Sequence, residues 1–187
     1  MIIKKLLFLA FAGFLTFQSV QLMSQLIGAE PSALSNGEQV FAGVILGVFI
    51  TGIFAFPGFV FPTHRFLPKS YYSIKNPQVL KNAYRWLGVK VFTGMLLIFF
   101  WGWKKNRKKY FDGTRSGIPN LIYQSKQSEF GHMGAFVVLL ILSVVLLFEG
   151  YGLVFGVVSG INIIGNAYPV ILQRHHRMRI EKILQAS

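Results

Sequence analysis

Three stretches of the chain carry no charged side chain: residues 6–29, 39–61 and 150–173. At about 1.5 Å of rise per residue, each makes a helix long enough to cross the roughly 30 Å hydrocarbon layer of a bilayer. A fourth apolar block, 133–148, is shorter and runs into Glu149-Gly150-Tyr151-Gly152, a turn signal with two permissive glycines. The pattern predicts four spanning helices at 6–28, 39–61, 131–149 and 152–173, with the last two folded back on each other as an antiparallel helical hairpin. Counted outward from that turn, His132 falls level with Pro169, and Glu129 with Gln173. Glu129 and His132 are three apart and share a helix face, so polar groups distant in sequence are expected to converge at one depth.

Residues 91–103 are also apolar, but 13 residues is the length of a re-entrant or interfacial segment rather than a span. The distribution of Lys and Arg supports this. Two precede the first span, five lie between Arg65 and Arg85, one is Lys90, seven lie between Lys104 and Lys126, and four follow Gln173. The connections at 28–38 and at the Glu149 turn hold only acids, Glu30, Glu38 and Glu149. The positive-inside bias therefore puts those connections outside and both termini in the cytosol. A full span at 91–103 would carry one of its basic flanks to the wrong face, so this segment is expected to dip in and return.

The chain is thus read as an all-α integral membrane protein, multi-pass in the cell membrane, forming one membrane domain over its 187 residues. The remaining parts are a cytosolic amphipathic region at 62–90, a basic cytosolic loop at 104–130 and a basic tail at 174–187. A composition of 53% hydrophobic and 13% charged residues agrees with the membrane reading. A net charge of +13 raises the question of nucleic acid, but the basic residues flank membrane spans, so anionic lipid headgroups are the expected partner. The same charge suits a phosphorylated cofactor or an acidic carrier protein. Having no cysteine excludes disulfides, thiol catalysis and thiolate metal sites. Lys4 and Lys5 before an apolar run resemble a signal peptide, but the uncharged stretch is long, and Gln18, Gln21 and Gln25 share one helical side. A retained anchor is the reading taken here.

In the amphipathic region, Pro62, Pro68 and Pro77 divide the chain into short pieces, and residues 79–88 have helical amphipathic spacing with Tyr84 and Trp86 among basic neighbours. Trp101 and Trp103 suit the headgroup level. Asp112 follows a run of five basic residues. It either initiates the turn with Gly113 or folds back toward a site.

The candidate site is the polar set beside the hairpin: Glu129, His132, Asn162, Asn166, Gln173 and Arg174. Asn162 and Asn166, four apart, face one way, and amides within a bilayer need partners or a polar cavity. Pro169 has no backbone N–H and so frees the carbonyl of Gly165 while kinking the helix. A purely structural reading pairs Glu129 with a nearby Lys or Arg. Glu and His at i and i+3 is also the spacing of carboxylate-bridged di-iron bundles, but those need a second such pair, which is missing here. No bound metal is therefore expected, although His64, His175 and His176 leave imidazoles for a mononuclear ion.

Taken in order, Leu87-Gly-Val-Lys90, Lys109-Tyr-Phe-Asp112-Gly113, Glu129-x-x-His132, Asn166-x-x-Pro169 and Gln173-Arg174-x-x-Arg177-x-Arg179 resemble the glycosyl-4,4'-diaponeurosporenoate acyltransferase family of staphyloxanthin-type carotenoid biosynthesis. The resemblance covers about half the chain, from Leu87 to Arg179. This chain departs from the pattern in having His175-His176 after Gln-Arg and a longer apolar insertion at 91–103. The resemblance implies esterification of a sugar hydroxyl on a glycosylated isoprenoid, carotenoid or related glycolipid by a fatty acyl group. The acyl donor would be acyl-coenzyme A or an acidic acyl-carrier protein, with no bound cofactor. Acyl transfer needs a base, a donor to the oxyanion and a water-poor site. On this reading His132 is the base, Glu129 fixes its tautomer, and Asn166 or Arg174 donates to the oxyanion. Asp112, Asn162, Gln173 and Arg177 contact substrate, with Arg177 and Arg179 as surface charges for phosphate. Two other readings stay open: a small membrane lipid-modifying enzyme of the isoprenylcysteine-methyltransferase type, and a non-enzymatic scaffold that binds a glycolipid.

Overall fold

In the computed structural model, residues 2–99 and 113–185 are described, and among them the chain is helical with no strand. Seven helices are α1 (Ile2–Gly28), α2 (Asn36–Gly58), α3 (Pro77–Trp86), α4 (Val89–Phe99), α5 (Ile118–Phe148), α6 (Gly152–Asn162) and α7 (Tyr168–Gln185). A π-helical turn, Ile163–Ala167, joins α6 to α7, so Gly152–Gln185 is one long helical rod with an apolar window and a basic C-terminal half. Among the described residues, four helices are long and apolar enough to cross a membrane: α1, α2, α5 with its leading turn, and this rod. Only 22% of the apolar window of α1 is buried by protein, so most of its hydrophobic surface is left for lipid. This is a membrane protein. Helix α5 begins at Ile118, well before the apolar block at 133, because polarity marks where a helix enters hydrocarbon rather than where it starts. Residues 91–99 fall in α4, and Trp101, Trp103, the run Lys104–Lys109 and Asp112 lie outside the described residues.

The fold divides into two compact units, Met1–Thr63 with Gly131–Ala167, and His64–Phe130 with Tyr168–Ser187. The core of the first unit is built from Met23, Leu26, Ala42, Leu46, Ile50, Ala135, Leu139, Leu146, Tyr151, Val154 and Val158. Ser35 caps α2 in a capping box: its Oγ accepts from Glu38 N at 3.3 Å and its own N–H donates to Glu38 Oε2 at 2.8 Å. Gly43 and Gly47, one turn apart on α2, admit Val157 and Ile161 of the neighbouring rod. A Cβ at Gly47 would lie 2.8 Å from Ile161 Cγ2. This is small-residue packing of the kind that brings membrane helices together without a hydrophobic driving force. Gly47→Ala is accordingly expected to cost about 1–3 kcal/mol. Thermal unfolding in detergent reads this out, and an unchanged midpoint would mean that the rod shifts freely.

The hairpin turn forms because Gly150 takes φ +86°, while Tyr151 N–H bonds Leu146 O at 2.9 Å and Gly150 N–H bonds Leu147 O at 3.1 Å. This is a Schellman closure of α5. Tyr151 then buries its ring in the core and donates its hydroxyl to Ala29 O at 3.0 Å, which ties the end of α1 to the turn.

In the second unit, Asn76 Oδ1 caps α3 by accepting from Val79 N at 3.1 Å, with Pro77 in the first turn. Helices α3 and α4 both pack on α7. The Tyr84 ring stacks on His175 at 4.0 Å and 12°, and its hydroxyl meets Thr93 Oγ1 at 3.0 Å. Phe92 packs edge-on against Tyr168 at 5.6 Å.

Candidate active site

Within the first unit, the lone polar residue in the middle of α2, Thr51, starts a continuous hydrogen-bond chain. Its hydroxyl donates to Gly47 O at 2.8 Å, so its oxygen is free to accept from Asn166 Nδ2 at 3.2 Å. Asn166 Nδ2 also donates to Asn162 Oδ1 at 3.2 Å, and Asn162 Nδ2 donates to Phe136 O at 2.9 Å. Both amide hydrogens of Asn166 are therefore committed, which fixes the orientation of the amide. Its Oδ1 is turned toward His132 Nδ1, 3.2 Å away. Asn162 and Asn166 are buried, and a network this deep is stable because every member is paired.

The Gly165 carbonyl cannot receive the usual i+4 bond because residue 169 is proline, and the helix answers with the π turn at Ile163–Ala167. Asn166 Oδ1 is an acceptor, so the neutral imidazole carries its proton on Nδ1 and leaves Nε2 as the basic nitrogen. As the index on α5 rises from 132 to 136, the partner index falls from 166 to 162, which is the register of an antiparallel pair.

The second unit holds the carboxylate. Glu129 is 0% exposed, and each of its oxygens is taken by an arginine: Oε1 by Arg174 Nε at 2.7 Å and Oε2 by Arg177 Nη2. Arg177, expected at the surface for phosphate, is instead 1% exposed and also donates from Nη1 to Ser125 Oγ at 2.9 Å. The physical reason is that a buried carboxylate takes the nearest charge-assisted donors on α7, one turn apart at 174 and 177. Arg179 is exposed. Ser125 Oγ donates to Gln173 O at 3.2 Å and Gln173 Nε2 to Ser128 Oγ at 3.3 Å, so Gln173 lines the same helix pairing.

Two tyrosines wall this cluster, with the guanidinium carbon of Arg174 4.8 Å from the Tyr71 ring centroid and that of Arg177 5.6 Å from Tyr72. Tyr72 donates its hydroxyl to His64 O at 2.9 Å, and the imidazole Nδ1 of His64 lies 2.6 Å from Gln127 Oε1. Burial, and secondarily the negative charge of Glu129, push the Tyr72 phenol up to about 12 and raise that of Tyr71, so both remain neutral donors.

Of the residues expected from sequence, the first unit gathers His132, Asn162 and Asn166, and the second gathers Glu129, Gln173, Arg174 and Arg177. Asp112 lies outside the described residues. Among the described residues, no group of three or more His, Asp or Glu side chains is arranged to hold a metal ion. Thr51, Ser125, Tyr71 and Tyr72 were not anticipated. A lone hydroxyl in an apolar span was the available signal for Thr51, and a serine on the α5 face that carries Glu129 was the signal for Ser125. Tyr71 and Tyr72 sit in a short turn, Lys69–Tyr72, without helical or strand periodicity to announce them.

No curated protein and no solved structure matched the chain. A family model described as glycosyl-4,4'-diaponeurosporenoate acyltransferase matches residues 68–186, which takes in Glu129, His132, Asn166, Arg174 and Arg177. The chain belongs to this family, and it is a membrane acyltransferase of carotenoid biosynthesis.

Proposed function

We propose that the protein esterifies a hydroxyl of a glycosylated carotenoid, or a closely related isoprenoid glycolipid, with a fatty acyl group, and that His132 is the general base. The observation that carries this reading is the locked amide of Asn166: held by Thr51 and Asn162, it presents an acceptor to His132 Nδ1 and so leaves Nε2 as the base. Asn166 thus takes the orienting role that an acid or amide takes in hydrolase triads. Nε2 removes the proton as the sugar oxygen attacks the acyl carbonyl. The tetrahedral intermediate then expels the donor's thiolate, which takes that proton back from the imidazolium. The apolar surroundings disfavour water as a competing acceptor.

The acyl donor in this reading is a thioester, of coenzyme A or of an acidic carrier protein, drawn by the excess of Lys and Arg. The same bias places both termini and the basic segments on the cytosolic side of the cell membrane.

Mass analysis of lipid extracts from cells with and without the chain tests the reaction class. Acyl transfer adds the mass of a fatty acyl chain to a glycosylated pigment. A gain of a methyl group would point to the methyltransferase reading, and unchanged lipids to a scaffold. Asn166→Ala is expected to lower kcat by roughly 10–100-fold with little change in KM, because it frees the ring rather than removing a substrate contact. A kcat equal to wild type would remove Asn166 from the mechanism.

A further inference from the structure

The second unit contains an arginine that is only half engaged. Arg174 Nε donates to Glu129 Oε1 at 2.7 Å, while Nη2 reaches Tyr71 O only at 3.4 Å. Its side chain is 30% exposed, whereas that of Arg177 is 2% and that of Glu129 0%. Charge does not balance within the cluster: one carboxylate faces two guanidiniums. Arg177 is enclosed and committed to Glu129 and Ser125, so the surplus positive charge meets the outside at Arg174.

The guanidinium is also held in place before any ligand arrives. Glu129 fixes it along the Nε edge and the Tyr71 ring lies 4.8 Å from its carbon, so the guanidinium is a planar fork already oriented. Such a fork matches the oxygens of a phosphate. All Lys and Arg residues except Lys4 and Lys5 fall in the sequence range of this unit, against three acids, Asp112, Glu129 and Glu181. Lysines such as Lys69 and Lys81 are exposed, whereas Arg174 is largely shielded and braced from behind by Glu129.

We propose that Arg174 anchors the phosphate at the end of the pantetheine arm of the acyl donor, with Glu129, Arg177 and Tyr71 as positioning residues. The proposal rests on the thioester-donor reading given above. Acyl-coenzyme A and acyl-carrier protein share this arm and its phosphate.

The test is equilibrium binding to the full chain in phosphatidylcholine nanodiscs, with fluorescent 4'-phosphopantetheine as probe. The expected result is that 4'-phosphopantetheine competes at least about tenfold better than pantetheine, which lacks the phosphate, and that Arg174→Gln weakens the probe by roughly 10–100-fold. Arg174→Lys should fall between, since it keeps the charge and loses the fork. Stronger competition by coenzyme A than by holo carrier protein identifies the free thioester as the source, and the reverse identifies the carrier; both support the anchor. His132→Ala should bind the probe as wild type does, so failure of the base assignment is distinguishable from failure of this site. Equal competition by pantetheine, unchanged affinity in Arg174→Gln, or full displacement of the probe by phosphatidylglycerol in the disc would overturn the proposal. If Arg174→Gln does not fold, the pantetheine comparison on the wild-type chain decides alone.

Discussion

Replacing His132 by alanine is expected to lower acyl transfer by roughly 10²–10⁴-fold, the range for loss of a positioned general base, while the protein is still extracted from membranes at normal yield. The substitution is well placed to separate chemistry from folding. The buried amides keep their other bonds, because Asn166 Nδ2 still donates to Thr51 and Asn162, and Asn162 to Phe136 O. Only Asn166 Oδ1 loses a donor, and water can supply one in the space the ring vacates. The measurement is ester formation per mole of purified protein in nanodiscs, alongside its size-exclusion profile. Transfer at near wild-type rate by a well-folded His132→Ala protein would rule out His132 as the base.

The largest stability effect is expected at Glu129. Its removal leaves Arg177 enclosed with a full positive charge and Ser125 as its remaining hydrogen-bond partner, a situation that costs about 3–5 kcal/mol when one member of a buried ion pair is deleted. Arg174 contributes less to that figure because part of its side chain is solvated. Glu129→Ala should therefore unfold at clearly lower temperature in detergent than wild type. The double variant Glu129→Ala/Arg177→Met should recover part of the loss, since it removes the orphaned charge as well. Were Glu129→Ala alone as stable as wild type, the ion pairs would carry no structural weight and the cluster would need another explanation.

Much of this architecture could be read from the order of residues. Three uncharged runs long enough for hydrocarbon and a shorter apolar block before the glycine turn mark the four apolar helices, because in a bilayer the backbone must satisfy its own hydrogen bonds and a continuous helix is the direct solution. The glycine after Glu149 marks the turn, since only a residue at ease with positive φ closes α5 there. Pro169 marked a carbonyl without its helical partner, that of Gly165, and the structure has a π turn there at Ile163–Ala167. The motif order around His132, Asn166 and Arg174 pointed to the acyltransferase family that the match over residues 68–186 establishes.

Helical periodicity gives the face and depth of a side chain, but not which of several eligible neighbours it takes. At Glu129 the choice lay among an imidazole three residues on and the basic residues of α7, and charge-assisted donation from guanidinium prevailed. At His132 the partner is an amide whose own orientation depends on Thr51, a residue far away in sequence. The four long apolar helices, the turn and the family were legible in the chain itself. The pairing of each buried polar group was decided by tertiary structure, because that competition is settled only when all candidates are held at fixed distances in a medium without water to share.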